Sequence, residues 1–200
     1  HLQEFVTMPC CCGVGITSEG ANLAATGHVR HGGAGLTRLG LMRANGQSCP
    51  GLLAATTDIL NAAGLVSQVT DSPLKHIWAK LFANVGINAL TAINGCRNGE
   101  LLASDKIREK MVLAVREAEQ VAGALGIPVV EDPVAVTLRI CEQTGSNISS
   151  MLQDVRNLRQ TEIGAINGAI VKEGERRGVP TPVNRELVRL VREIEAAYLG

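Results

Sequence analysis

The chain has 200 residues, enough to bury a sizeable core in one large domain or two small ones. Nineteen basic and nineteen acidic side chains cancel, so no global field draws nucleic acid or an anionic membrane. Four aromatic residues (Phe5, Trp78, Phe82, Tyr198) are too few for a base-stacking surface, and the longest apolar stretch, Leu81 to Ile93, is broken by Asn84 and Asn88 and is too short to span a bilayer.

The opening residues, His1-Leu2-Gln3-Glu4, resemble neither a signal peptide nor an initiator methionine, so the chain is expected to begin inside a longer protein. Cys10, Cys11 and Cys12 are consecutive, and Cys49, Cys96 and Cys141 are scattered singly with no C-x-x-C partner. That spacing suits neither structural zinc nor a disulfide framework, and all six are expected to be small apolar packers in a reducing cytoplasm. From Phe5 to Leu41 the chain is glycine-rich, and Phe5-Val6-Thr7-Met8 and Gly27-His28-Val29-Arg30 suit short strands. Within it, Gly13-Val14-Gly15-Ile16-Thr17-Ser18-Glu19-Gly20-Ala21 lacks the third glycine of a G-x-G-x-x-G turn and does not open a helix, so it is no primary phosphate loop. His28 and His31 have no third ligand nearby, and no metal is expected. Ser48-Cys49-Pro50 begins a helix running to about Ala63 and ended by Gly64; Leu65 to Val69 then reads as a short strand. Strand, helix, strand is an α/β signature.

After Ser72-Pro73 the pattern turns helical. In the helix through Trp78 to Asn88, residues four apart lie ~40° apart around the axis, so Lys80, Asn84 and Asn88 share one side. Trp78, Leu81, Phe82, Val85 and Ile87 make the rest oily, and a stripe of one cation and two carboxamides on such a helix suits an anionic ligand carrying carbonyl or hydroxyl groups. A snorkelling lysine and locally bonded asparagines are the plainer reading of the same residues. Asn98-Gly99 reads as a turn. A helix from Asp105 to Leu125 is capped by Ser104 and ended by Gly126, and one from Pro133 to Thr144 is closed by Gly145. In Asn147-Ile148-Ser149-Ser150-Met151-Leu152-Gln153-Asp154, Ser149 or Ser150 caps the next helix, with Gln153 answering Ser150 in a capping box. Free N–H groups at that helix start also suit a carboxylate. A further helix starts near Thr161, with Glu162 among apolar neighbours, and Thr181-Pro182 caps the last. There Leu187, Leu190, Val191, Ile194 and Tyr198 form the inward stripe, and Arg185, Glu186, Arg189, Arg192 and Glu193 a solvated face.

These blocks together resemble the ketopantoate reductase (2-dehydropantoate 2-reductase) family. The resemblance rests on Trp78-x-Lys80-Leu81-x-x-Asn84-x-x-x-Asn88, Leu90-Thr91-Ala92, Asn98-Gly99-Glu100-Leu101 and Ser149-Ser150-Met151-Leu152-Gln153-Asp154. It continues through Thr161-Glu162-Ile163, Ile166-Asn167-Gly168 and Thr181-Pro182-x-Asn184, in matching order across most of the chain. It implies an α/β remnant, the late strands and a helix of a Rossmann-type domain (1–72), followed by an all-α C-terminal domain of the 6-phosphogluconate dehydrogenase C-terminal type (73–200). It further implies NADPH as cofactor, a small 2-oxo acid as substrate, and Lys80 (the proton donor) and Glu162 as catalytic residues, with Glu162 facing the reaction cleft and touching cofactor and the substrate hydroxyl. Asn84, Asn88, Asn98, Asn147 and Ser150 would hold substrate, Ala21 would lie against cofactor at the end of a late strand and loop, and a homodimer is admitted.

The chemistry suits the residues independently: hydride addition develops charge on a ketone oxygen, and a positioned ammonium both stabilises and neutralises it. The family's amino-terminal phosphate loop has no counterpart here, so a fragment inactive alone and weak for NADPH is expected. Two alternatives stand beside this reading, a related NADPH-dependent reductase of another 2-oxo acid and a non-catalytic helical module for dimerisation or ligand binding.

Overall fold

The computed structural model describes residues 12–42 and 50–199, which fall into two compact units, His1–Ile77 and Trp78–Gly200. Phe5 to Met8, Cys10, Cys11, Cys49 and the Ser48 start of the first helix lie outside the described residues.

The first unit contains strands β1 (Cys12–Thr17), β2 (Gly20–Ala25), β3 (His28–Gly33) and β4 (Thr37–Met42), helix α1 (Pro50–Ala62) and strand β5 (Ser67–Val69). β1 lies antiparallel to β4, from Cys12 opposite Met42 to Thr17 opposite Thr37, and β4 lies parallel to β5, giving the sheet order β1-β4-β5. Parallel neighbours need a crossover, and α1 supplies it. The expected strand from Leu65 is shorter at its start, because Leu65 finishes the helix instead. Its N–H returns to the Leu60 carbonyl and that of Gly64 to Asn61, with Gly64 at φ +83°, a left-handed helix stop open to glycine. The Asn61 amide then brackets Ser67, accepting from its N–H at 2.7 Å and donating to its carbonyl at 3.2 Å, which sets where β5 begins.

β2 and β3 form a separate antiparallel hairpin. The segment Gly15 to Ala21, expected to be a strand and its following loop, is the end of β1, a two-residue link and the start of β2. Ala21 therefore sits within a strand, opposite His31, because Glu19 turns the chain: its carboxylate accepts from the Gly35 N–H at 2.9 Å and meets His31 Nε2 at 2.8 Å. Those two partners hold the Glu19 carboxyl below its ordinary value.

The second unit is all helical. It takes Trp78–Asn94 of α2 (Pro73–Asn94), a 3₁₀ helix (Asn98–Ala103), α3 (Asp105–Ala124), α4 (Pro133–Gln143), α5 (Ser150–Arg156), α6 (Asn167–Arg177) and α7 (Pro182–Leu199). Local signals set most of these ends: the Ser104 hydroxyl caps α3, Ser149 caps α5, and Asp132 caps α4 ahead of Pro133. Two expectations change. Asn98-Gly99 opens the 3₁₀ helix rather than an isolated turn, and the helix expected near Thr161 starts only at Asn167. The Thr161 hydroxyl and N–H both donate to Glu195 while its oxygen accepts the Ile163 N–H at 3.3 Å, and residues 162–166 close tight turns on the Glu162 carbonyl instead of a regular helix.

Val85, Ala89, Leu101, Val115, Val121, Ile163, Leu187 and Val191 are wholly enclosed and form the centre of one apolar core. At Gly86 the packing leaves no room: a Cβ there would lie 2.8 Å from Thr137 Cγ2 and 2.9 Å from Val115 Cγ2, so α2 meets α3 and α4 backbone-close. On α7, Leu187 and Val191 face inward, with Leu190, Ile194 and Tyr198 partly covered. The expected charged face is solvated and laced by pairs such as Arg185–Glu175 (3.0 Å) and Lys110–Glu186 (2.9 Å).

Candidate active site

The i, i+4, i+8 spacing on α2 gives a graded stripe. Lys80 is exposed, Asn84 half-buried and Asn88 only 6 % exposed. A turn beyond Asn88, the buried Thr91 hydroxyl lies 2.9 Å from the Asn88 carbonyl and 3.0 Å from that of Ile87, donating to the helix. Its oxygen is then free to accept from Ser149 Oγ, 2.6 Å away, while Ser149 accepts the Leu152 N–H at 3.1 Å. One hydroxyl pair thus ties the polar end of α2 to the start of α5, where Ser150 stands exposed as the first helical residue. The expected Ser150–Gln153 capping box does not form. Ser149 is the cap, and Gln153 Nε2 donates to the Ile148 carbonyl at 3.0 Å.

The same corner receives Asn98. Its N–H donates to the Asn147 carbonyl at 3.0 Å and the Gly99 N–H to Gly145 at 3.1 Å. A Cβ on Gly99 would lie 2.9 Å from Gly145 Cα, so two glycines let these loops touch. The Thr144 hydroxyl donates to the Ile140 carbonyl at 2.6 Å and must accept from Asn98 Nδ2 at 2.9 Å. That fixes the amide's orientation and leaves the buried Asn98 Oδ1 without a hydrogen-bond partner among the described residues. Asn147 itself presents an exposed side chain. Asn98 and Asn147 thus meet through their backbones, and the Thr91–Ser149 pair ties the residue before Ser150 to α2 one turn beyond Asn88.

Glu162 arrives from another direction. Its side chain is exposed, but its neighbours Thr161 and Ile163 are buried, so the backbone carrying it is anchored on both sides. Asp154, one turn after Ser150 on α5, has its carboxyl raised above the ordinary value, first by burial and then by the charge of Glu162, with Arg159 opposing. The two carboxylates are thus within electrostatic reach. At the far end of the segment the fully enclosed Asn167 donates through Nδ2 to the Val85 carbonyl at 3.1 Å, beside Asn84 on α2, and to Asn184 Oδ1 at 2.9 Å. Asn184 Nδ2 in turn donates to Glu117 Oε2 (2.7 Å) and the Ala114 carbonyl (3.0 Å), and Glu117 also takes the N–H groups of Val183 (2.8 Å) and Asn184 (2.9 Å). A buried carboxylate on α3 therefore caps α7 and orients two amides that reach α2.

Sequence reasoning missed Thr91, Glu117, Asn167, Asn184 and Glu195 as polar groups of the core. Glu117 and Glu195 did leave a signal, each an acid within an apolar helical stripe: Ala114, Ala118 and Val121 around one, Val191 and Tyr198 around the other. Ala21, the remaining candidate, is exposed on β2 of the first unit. Among the described residues no group of three His, Cys, Asp or Glu side chains converges as a metal site, and no helix is long and apolar enough to cross a membrane. Cys12 and Cys96 are half-buried free thiols, and burial pushes the enclosed Cys141 up to about 11.

Residues 74–195 match the family model described as ketopantoate reductase PanE/ApbA C terminal. The chain is 36 % identical over 184 residues to a 2-dehydropantoate 2-reductase of Archaeoglobus fulgidus, covering 91 % of this chain and 60 % of that one. It is 35 % identical to one of Vibrio cholerae, with the same 91 % and 60 % coverage. It spans about 60 % of the length of these curated relatives. Its fold superposes on a PanE/ApbA family ketopantoate reductase from Ralstonia eutropha with TM-score 0.84 at 31 % identity, over 94 % of this chain and 60 % of that one. It also superposes on D-mandelate dehydrogenase, solved with NADH and anilino(oxo)acetate, with TM-score 0.89 at 28 % identity, over 99 % of this chain and 64 % of that one.

Proposed function

This chain belongs to the ketopantoate reductase family, and from that premise we propose that the protein it represents reduces ketopantoate to pantoate with NADPH, on the route to pantothenate and coenzyme A, with Lys80 giving the proton. The observation that supports the proposal is the tie between the polar end of α2 and the Asn147–Ser150 corner, through the Thr91–Ser149 hydroxyl pair and the Asn98–Asn147 backbone bond. A hydroxylated oxo acid suits these groups: the Asn84 amide and the Ser150 hydroxyl would donate to its carboxylate oxygens. Lys80 is exposed at the head of the stripe, where an ammonium delivers its proton to the carbonyl oxygen and recovers it from water.

A nicotinamide dinucleotide, when bound, supplies the hydride. The residues present fit its reacting end, where the exposed, acceptor-only Glu162 suits ribose hydroxyls or a carboxamide, whereas no G-x-G-x-x-G turn between strand and helix is present to cradle a pyrophosphate. We accordingly assign residues 1–72, with Ala21 against cofactor, to the cofactor domain and residues 73–200 to the substrate-holding all-α domain, and the protein to the cytoplasm with its cofactor pool. A homodimer is a further proposal, read by sedimentation.

The test is NADPH oxidation by the complete gene product with ketopantoate, beside Lys80→Ala. Turnover that falls about 10²- to 10⁴-fold in the variant is expected, the range for loss of a positioned acid; an undiminished kcat removes Lys80 from the role. A second reading, reduction of a 2-oxo acid with a bulky aromatic group, is favoured by the superposition on D-mandelate dehydrogenase over 99 % of the chain. Phenylglyoxylate beside ketopantoate decides between them.

A further inference from the structure

We infer that Glu195, on the last helix, is a positioning residue for Glu162. The inference rests on the reading of Glu162 as part of the reaction site. Glu195 is a buried carboxylate, 4 % exposed, that the reduction itself does not use. Its Oε1 accepts from both the N–H (2.6 Å) and the hydroxyl (2.7 Å) of Thr161, the residue immediately before Glu162. Two bonds to one oxygen fix both the backbone and the side chain of Thr161, so the direction in which the chain enters Glu162 is set from α7. One turn on, the Tyr198 hydroxyl donates to the Arg159 carbonyl at 2.9 Å and holds the preceding loop to the same helix. On its other side the segment is closed by the Ala165 and Ile166 N–H groups on the Glu162 carbonyl and by Asn167 on the Val85 carbonyl. Among the described residues the second Glu195 oxygen meets the solvent-facing Arg192, at 3.8 Å. The acceptor oxygen facing Thr161 is therefore the part that matters, and the charge is secondary.

The experiment compares wild type, Glu195→Leu, Glu195→Gln and Thr161→Val in the complete gene product, each with and without Glu162→Ala, by steady-state reduction of the 2-oxo acid and by thermal melting. Glu195→Leu is expected to lower kcat about 10- to 100-fold in a protein still folded at the assay temperature, because an ångström of misplacement of a reacting group costs on that order. Glu195→Gln keeps the acceptor and restores kcat to within about threefold of wild type. In the Glu162→Ala background, Glu195→Leu is expected to add no further loss, since a residue acting through Glu162 has nothing left to position. A kcat for Glu195→Leu equal to wild type, or an undiminished loss in the Glu162→Ala background, overturns the inference. Should Glu195→Leu fail to fold, Thr161→Val, which removes one of the two bonds, carries the same two comparisons. A wild type that reduces no 2-oxo acid overturns the proposed function and this inference with it; a wild type that does, with an unaffected Glu195→Leu, overturns this inference alone.

Discussion

Replacing Glu117 by alanine is expected to be the most damaging polar substitution in the second unit. Three donors converge on its carboxylate, the N–H groups of Val183 and Asn184 and the Asn184 amide, at 2.7 to 2.9 Å, and the residue is 8 % exposed. A hydrogen bond to a charged group contributes about 1.5–3 kcal/mol, and each buried donor left unsatisfied costs about 1–3 kcal/mol. Water entering the space left by the side chain recovers part of the three lost bonds, so the net loss is set at about 3–5 kcal/mol. For a unit of this size that is a fall in Tm of roughly 10–20 °C. Glu117→Gln keeps one carbonyl acceptor for the α7 backbone but turns an NH₂ toward Asn184 Nδ2, and its loss should fall between wild type and alanine. Thermal melts followed by circular dichroism at neutral pH read all three. An alanine variant melting within about 3 °C of wild type, or below it only as far as glutamine, would refute the view that this carboxylate organises the network.

Asp154→Asn should make stability less pH-dependent. Burial and Glu162 raise the Asp154 carboxyl above its ordinary 3.8, so the folded form binds more protons than the unfolded one, and its contribution weakens as pH rises through that window. The asparagine variant should therefore gain on wild type from about pH 4 upward in urea titrations, and a wild-type stability unchanged or rising relative to the variant contradicts this. Cys141, enclosed and with its thiol pushed up to about 11, should resist iodoacetamide at pH 8 in the native protein and react once unfolded, whereas half-buried Cys96, its thiol also raised, should react before it; mass spectrometry of the labelled peptides checks both. The 200-residue chain alone should bind NADPH no tighter than about 0.1 mM, lacking the helix-end phosphate turn on which dinucleotide affinity rests, and micromolar affinity by titration would be evidence against it.

Local chemistry made much of the fold legible. Ser104, Ser149 and Gly64 act within a few residues of themselves, so the helices they bound could be read directly. Long-range partners could not. Thr161 looks like a helix start by type, yet Glu195, 34 residues later, takes both of its donors and moves the helix to Asn167. The Ser150–Gln153 pair fits a capping box by spacing, but Thr91, 58 residues away from Ser149, decides which serine turns inward. The stripe of Lys80, Asn84 and Asn88 followed from helical period alone, whereas the meeting of Asn98 with Asn147 depends on the Gly99–Gly145 approach, which no periodicity announces. The family resemblance supplied those residues; their arrangement needed coordinates.

The close crossing at Gly86 bears on how this protein can diversify. Gly86 lies between Asn84 and Asn88, so the helix that presents the polar stripe is also wedged, at that level, against Thr137, Val115 and Met111 with no space for even a methyl group. Any mutation that thickens this helix on its inner side moves its outer side as well, and packing fitness and substrate fit rise or fall together. The exposed side chains of Asn147 and Ser150, on a loop and a helix end, carry no such constraint. The position of the stripe is thus tied to how α2 packs against α3 and α4.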